Sequence, residues 1–199
     1  MFLRINVQIE WIDFRKKLTN QHPTACFKVL YTASATYLTA AVVDQSQEFF
    51  VNVNGSRFKL KGFVAESKTY QYETNDSNEA HYLSAILNSK VVDNAIKPLQ
   101  TRGLWGARDI HKRPLQLPIP KFKKADSRHR RIAELGKIAH EKVHGESPKL
   151  TKYKSIGKAR SEIREFLKDE IAEIDNLVVK IMSEKGNPDG LEQFLKVQA

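Results

Sequence analysis

A chain of 199 residues with 41% hydrophobic side chains can bury a substantial core, and its net charge of +10 favours a polyanionic partner. Cys26 is the only cysteine, which excludes an intramolecular disulfide and a cysteine-based zinc cluster. No apolar run approaches the roughly 18 residues that a membrane span needs, so we expect a soluble, cytoplasmic protein with no membrane partner.

The first part of the chain has the composition of a β-rich unit. Apolar and polar residues alternate over residues 3–11, which predicts a half-buried strand. From Phe27 to Tyr72, β-branched and aromatic residues predict a set of strands in the segments FKVLY, YLTAAVV, EFFVNV, RFKLKGFV and KTYQY. Asn54-Gly55 predicts a hairpin turn, because both residues tolerate positive φ.

Helical spacing begins near Asp76. Asp76 and Glu79 have the form of a capping box, which marks the start of a helix. Asn88-Ser89 is expected to bend or end that helix. A second short helix follows and stops at Pro98.

The stretch from Lys97 to Lys124 is cationic and rich in glycine and proline. Residues 97–160 carry 18 Lys and Arg against 5 Asp and Glu, a net charge of +13, so the excess charge lies in this third of the chain. Prolines remove backbone donors and disfavour helix at positions 114, 118 and 120. We therefore expect an irregular basic surface followed by a short edge strand.

Two helices are predicted after the basic stretch. The first begins at about Ser127 and ends near Val143, with Gly145 as its stop. Residues 146–158 have the composition of a connector. A single helix about 38 Å long, at about 1.5 Å per residue, is predicted over residues 159–184. The pair predicts an antiparallel helical hairpin that docks on a partner or mediates oligomerisation.

Three blocks follow one another in the chain: EAHYLSAILNS at 79–89, IKPLQTRGLWGARDIHKRPLQLPIPKF at 96–122 and HRRIAELGKIAHEKV at 129–143. In these blocks and their order the chain resembles the C-terminal specificity (target recognition) domain of TaqI-like and type IIG DNA adenine-N6 methyltransferases. That domain is similar to one module of type I restriction specificity subunits. The resemblance implies an α+β fold, with a mixed β-rich target-recognition module at 1–125 and a helical spacer or docking region at 126–199.

The resemblance also implies double-stranded DNA and a methyltransferase subunit or domain as partners. The chain lacks the Asn/Asp-Pro-Pro-aromatic motif of adenine methyltransferases, and no glycine-rich loop follows a strand as an S-adenosylmethionine site requires. No nuclease arrangement of carboxylates and lysine fits either. We therefore expect a non-enzymatic part of a restriction–modification system, with no cofactor of its own.

Candidate DNA contacts lie in two polar loops. Cations neutralise phosphates, arginine can read guanine, and hydroxyls bond phosphates or base edges. The alternatives are a solvated cationic face, polar turns and, for the tryptophan between two glycines, a core anchor. The candidates are Ser34, Thr36, Tyr37, Arg102, Trp105, Arg108, His111, Lys112, Arg113 and Lys121.

Two other functions remain open. His140, Glu141 and His144 match the H-E-x-x-H motif, which on a helix places two imidazoles for zinc and leaves the glutamate as general base of a metallopeptidase. Glu162 or Glu165 would then be the third ligand. The other alternative is a purely structural protein-interaction module that uses the acidic flank of the last helix.

Overall fold

In the computed structural model, the described residues are 18–21, 25–60, 62, 64–65, 68–103, 106–150, 152–153 and 155–185. They form an α+β fold, which confirms the predicted fold class. The predicted strand at residues 3–11 lies outside these ranges. The strands are β1 (Phe27–Thr32), β2 (Ala40–Asp44), β3 (Phe49–Val53), β4 (Ser56–Leu60), β5 (Thr69–Thr74), β6 (Arg102–Gly103) and β7 (Gly106–Ala107). The α-helices are α1 (Ser77–Asn88), α2 (Lys90–Ile96), α3 (Ser127–Leu150), α4 (Ile156–Phe166) and α5 (Lys168–Lys185).

The central sheet is antiparallel, with strand order β2-β1-β5. Val29 in β1 lies opposite Val42 in β2 and Tyr72 in β5. Alternate residues of β1 are buried against α1, because successive side chains of a strand point to opposite faces. Lys28, on the other face, is fully buried and its ammonium lies 3.1 Å from Glu73. The second face of the sheet is therefore covered at the position of Lys28, whereas Ala41 on the same face is exposed.

Strands β3 and β4 form a separate hairpin. Asn54 and Gly55 have φ of 50° and 81°, as predicted for its turn. The cross-strand register places four large apolar residues on one face, and each is between 39% and 52% exposed: Val51, Val53, Phe58 and Leu60. In the described part of the chain each strand pairs only with the other. The hairpin is thus amphipathic, with its apolar face turned to solvent.

Helix α1 is capped by Asp76, whose carboxylate accepts a hydrogen bond from the backbone N–H of Asn78 at 2.9 Å. The predicted capping box is wrong in its second half. The Glu79 carboxylate accepts hydrogen bonds from the hydroxyl groups of Tyr72 and Thr74, so it ties α1 to β5. Thr74 in turn accepts from the backbone N–H of Asp76 at 3.1 Å.

The break after α1 is confirmed. Ser89 is buried, its hydroxyl donates to the carbonyl of Ile86 at 2.7 Å, and it accepts from the backbone N–H of Val92 at 3.2 Å. One side chain therefore closes α1 and caps α2. Helix α2 ends at Ile96, and Pro98 lies in the 3₁₀ turn Lys97–Leu99 that follows.

Asn88 acts as an additional partner for the edge strand β2. Its Nδ2 donates to the carbonyl of Ala40 at 2.8 Å, and its Oδ1 accepts from the N–H of Ala40 at 3.0 Å. We expect Asn88→Ala to reduce the free energy of unfolding by about 2 kcal/mol, because two backbone groups lose their partners. Asn78→Ala, at an exposed position of the same helix, is the matched control and should change it by less than about 0.5 kcal/mol. Urea denaturation measures both, and equal losses would contradict the role given to Asn88.

Helices α3 and α5 are antiparallel, which confirms the predicted helical hairpin. Arg128 near the start of α3 pairs with Glu184 near the end of α5, whereas Lys142, late in α3, pairs with Glu170, early in α5. The core is continuous across the molecule and includes side chains from β1, α1, α3 and α5. Residues on both sides of position 125 belong to it, and the two-part division of the chain stays a prediction. None of the described helices is both long and apolar enough to cross a membrane.

The boundaries of the C-terminal helices differ from the prediction. Helix α3 continues through Gly145 to Leu150, so the predicted stop and the first part of the predicted connector are wrong. The single helix over residues 159–184 is also wrong, because two helices meet at Leu167, whose backbone is non-helical at φ −104° and ψ 19°. Leu167 is buried, so the junction is held against the rest of the molecule.

The predicted edge strand after the basic stretch is wrong. Pro114 lies in a 3₁₀ turn over Arg113–Gln116, and the following residues up to Phe122 form no strand. Pro118 and Pro120 supply no backbone donors for a sheet. The segment is instead fixed by side chains, among them Tyr82, whose buried hydroxyl donates to the carbonyl of Pro120 at 2.9 Å.

Candidate nucleic-acid interface

Two loops that are far apart in sequence are joined in the structure. Backbone hydrogen bonds run from Ala35 N to Arg108 O at 2.8 Å and from Ile110 N to Ala33 O at 3.0 Å. Ser34 and Asp109 form a β-bridge between them. Residues 33–37 and 108–111, which we call the paired loops, both contain predicted DNA contacts. They meet because the end of β1 and the segment after β7 complete each other's backbone hydrogen bonds.

The second of the paired loops is braced on its own side. Strands β6 and β7 place Gly103 opposite Gly106. A Cβ at Gly103 would lie 3.0 Å from the Cδ of Arg108, so the glycine leaves room for the stem of that arginine. The hydroxyl of Thr101 donates to the carboxylate of Asp109. Asp109 therefore holds the loop.

His111 joins the interface to the core. Its φ of 42° lies in the left-handed region, which non-glycine residues seldom adopt. Its carbonyl accepts a hydrogen bond from the buried hydroxyl of Tyr31 at 3.0 Å, and its imidazole lies 3.7 Å from Asp109. Burial raises the pKa of Tyr31, so the phenol remains a donor. The backbone of His111 is thus anchored while its ring is 58% exposed.

Five cations between positions 108 and 123 are not used in ion pairs with described carboxylates. They are Arg108, Lys112, Arg113, Lys121 and Lys123. Arg113 approaches the side chain of Gln116 at 3.5 Å, and the others are exposed. These side chains are available to an external anion.

Other cations of the basic third serve the fold. Arg131 reaches both Glu134 and Glu173, at 2.8 and 2.7 Å. Arg128 holds Asp126 and Glu184, and its hydrogen bonds keep the pKa of Asp126 well below the usual range. Some cations of this third of the chain are therefore held in ion pairs of α3, whereas the five named above have no carboxylate partner among the described residues.

The first of the paired loops uses part of its polar groups internally. The hydroxyl of Ser34 donates to the carbonyl of Arg108 at 3.3 Å, and the carbonyl of Thr36 accepts from the ammonium of Lys97. Tyr37 is 45% exposed, but cations already lie over its ring, with Lys97 Nζ 4.0 Å and the Arg160 guanidinium carbon 3.9 Å from its centre. The hydroxyl of Thr36 belongs to an exposed residue. Trp105 and the side chain of Arg102 lie outside the described residues.

The H-E-x-x-H segment lies on α3. His140 contacts His81 of α1 edge-on, with ring centres 5.4 Å apart, and Glu141 lies near Lys137. Burial lowers the pKa of His140. Among the described residues no three His, Cys, Asp or Glu side chains are grouped so that they can hold a metal ion. Neither Glu162 nor Glu165 joins the pair of histidines.

A pocket that the sequence reasoning missed lies beside the unpaired cations. Its volume is about 300 Å³, and it opens between the central sheet, α1 and the segment 114–122. Its lining is mainly apolar and includes five aromatic side chains, those of Tyr31, Tyr70, Tyr72, Tyr82 and Phe122. The signal in the sequence was the recurrence of tyrosine on one face of β1 and β5, which the register of the two strands brings together.

No protein-family model, curated protein or solved structure matches the chain. The resemblance to target recognition domains therefore stays a prediction. Any functional proposal must rest on the residues themselves, above all on the paired loops and the cations around them.

Proposed function

We propose that the protein is a non-catalytic DNA sequence-recognition domain of a restriction–modification adenine methyltransferase system. It binds duplex DNA through a basic surface and positions a methyltransferase subunit or domain. The observation that supports this proposal most is the joining of two loops, each predicted separately to contact DNA, beside cations that have no described carboxylate partner.

In this proposal the basic side chains divide into two roles. Lys112 and Lys121 anchor the domain on phosphates, because an ammonium neutralises a phosphate and releases a condensed counterion. Arg108, whose stem is held beside Gly103, is a candidate for reading the O6 and N7 acceptors of guanine. The backbone hydrogen bonds of the paired loops hold Arg108 in a fixed position relative to the loop 33–37.

A protein partner is supported by a different feature. The apolar face of the β3–β4 hairpin exposes Val51, Val53, Phe58 and Leu60 in the isolated chain. Contiguous exposed apolar side chains commonly mark protein interaction sites. The proposal therefore places DNA on the paired loops and leaves the hairpin to a methyltransferase subunit or domain.

Fluorescence anisotropy with labelled duplexes over a range of salt concentrations tests the DNA proposal. We expect log K to fall steeply with log salt for the unmodified chain. Changing Arg108, Lys112, Arg113 and Lys121 together to glutamine should lower affinity at least about 100-fold and flatten the slope by about 3, since each phosphate contact contributes about 0.9. The same number of charges is removed in the control, Lys59, Lys137, Lys168 and Lys180 to glutamine, at exposed positions outside the proposed DNA surface, which should retain most of the affinity.

Sequence recognition requires a second measurement. Duplexes selected from a randomised pool by the chain with its methyltransferase partner should share a short motif, and Arg108→Gln should relax the preference at one position of it. Equal losses in the two four-residue variants would show that net charge alone drives binding. Absence of salt-dependent affinity for any duplex would remove the DNA proposal altogether.

A further inference from the structure

Helix α4 projects one arginine into the paired loops. None of its described residues is buried, so the helix stands at the surface between its N-cap Ser155 and the buried junction at Leu167. Arg160 is the residue through which it reaches the loop 33–37, because its guanidinium lies 3.9 Å from the ring centre of Tyr37. A helix that was predicted only to dock on a partner therefore borders the candidate DNA surface.

Among the described residues, no acceptor bonds to the guanidinium of Arg160. A guanidinium carries five N–H donors in a planar fork, and Arg160 makes no hydrogen bond or ion pair with any described residue. It is partly buried, and both this burial and the charge of neighbouring Arg164 lower its pKa. An arginine remains charged in proteins. Its N–H donors, which no described residue accepts, and the positive charge of Arg164 make this position favourable for an anion.

The surrounding charges do not neutralise this position. Lys97 shares the ring of Tyr37, and its ammonium lies 3.9 Å from Asp93. Asp93 also accepts from the backbone N–H of Leu38 at 2.8 Å. Around Arg160, four cations and two carboxylates interact electrostatically: Lys90, Lys97, Arg160, Arg164, Asp93 and Asp175. The local field is positive.

We infer that Arg160 and Arg164, with Tyr37 as the platform under Arg160, form a phosphate-binding site on α4 that grips the duplex beside the paired loops. The inference rests on the proposed function and adds a helix and two residues to its DNA surface. It also changes the role of Tyr37. The ring seats a guanidinium by cation–π attraction and does not stack on a base.

The first experiment removes the two arginines in the full chain. Arg160→Gln with Arg164→Gln should weaken duplex binding about 10-fold and flatten the salt slope by about 1 to 2, while the selected DNA motif stays unchanged. The matched control is Lys168→Gln with Lys180→Gln, which removes the same charge from exposed positions of α5 and should leave the slope as it was. Circular dichroism melting verifies that each variant is folded.

The second experiment separates the platform from a base contact. Tyr37→Phe keeps the ring and should bind like the unmodified chain, whereas Tyr37→Leu should lose affinity as the arginine variant does. In the Arg160→Gln, Arg164→Gln background, Tyr37→Leu should have little further effect, because coupled residues are not additive. A changed DNA motif in Tyr37→Phe would overturn the platform role.

The two proposals fail differently. If the unmodified chain binds duplex and the variant with Arg108, Lys112, Arg113 and Lys121 changed to glutamine loses binding, an unchanged salt slope in the double arginine variant overturns only the α4 site. If no duplex binds, the proposed function fails first. Binding of inorganic phosphate at millimolar concentration that is lost in the double arginine variant but leaves duplex affinity of the unmodified chain unchanged would show that the site takes a free anion, and would likewise overturn the assignment to DNA.

Discussion

Gly136→Ala is expected to destabilise the protein by about 3 kcal/mol, because it forces α1 and α3 apart. A Cβ at position 136 would lie 2.5 Å from the backbone carbonyl of His81 and 3.0 Å from the Cβ of Ala85. A backbone oxygen of a neighbouring helix cannot move aside as the end of a flexible side chain can. The strain therefore exceeds the gain of about 1 kcal/mol that alanine normally brings over glycine inside a helix.

Gly145 provides the matched control in the same helix. A Cβ there would meet nothing within 4 Å, and the residue is exposed. Gly145→Ala should therefore raise the free energy of unfolding by about 0.5 to 1 kcal/mol. If α1 and α3 pack as described, urea denaturation shows changes of opposite sign in the free energy of unfolding of the two variants. A stabilising Gly136→Ala would contradict that packing.

Acid should destabilise the protein through His81. The residue is only 7% exposed, and among the described residues its Nδ1 has no hydrogen-bond partner. Burial, followed by the charges of His140 and Lys137, lowers its pKa to about 4, although Glu141 and Asp44 act in the opposite direction. The buried imidazole is therefore neutral in the folded state at neutral pH.

The direction of the pH dependence follows from proton binding in the folded and unfolded states. An unfolded histidine has a pKa of about 6.5, so between that pH and about 4 the unfolded chain binds more protons than the folded chain. Stability that is complete above pH 6.5 is lost as the pH falls through this window, by up to about 3 kcal/mol for His81. Urea denaturation at several pH values measures the loss.

His81→Phe keeps a ring in this position and removes the titration. It should flatten the stability profile between pH 6.5 and 4, and His111→Asn, which preserves a residue that tolerates positive φ, should keep the original profile. If His81→Phe loses as much stability in acid as the unmodified chain, the acid sensitivity resides elsewhere.

The sequence predicted the elements whose causes are local. The five segments between Phe27 and Tyr72 became β1 to β5, and Asn54-Gly55 formed its turn, because β propensity and positive φ are properties of the residues themselves. Ser89 likewise broke the helix through bonds to residues three positions away. Such contacts need no knowledge of the tertiary structure.

The failures have causes that local patterns do not contain. Gly145 carries a helix-stop signal, yet its cost of about 1 kcal/mol does not end a helix that is free to continue. At Leu167 the apolar spacing runs unbroken through the junction, so periodicity shows one helix where there are two. At the candidate site, residue types were predictable, but the pairing of residues 33–37 with 108–111 depends on contacts more than 70 positions apart.

The β3–β4 hairpin has a consequence for the behaviour of the chain during folding and storage. Its apolar face, with both strand edges unpaired in the described residues, offers a template on which another chain can add a strand. Arg57 and Lys59 lie on the opposite face, the first 3.8 Å above the ring of Phe50 and the second paired with Glu48. We expect these charges to oppose β-aggregation, so their neutralisation should shorten the time that the purified protein stays in solution.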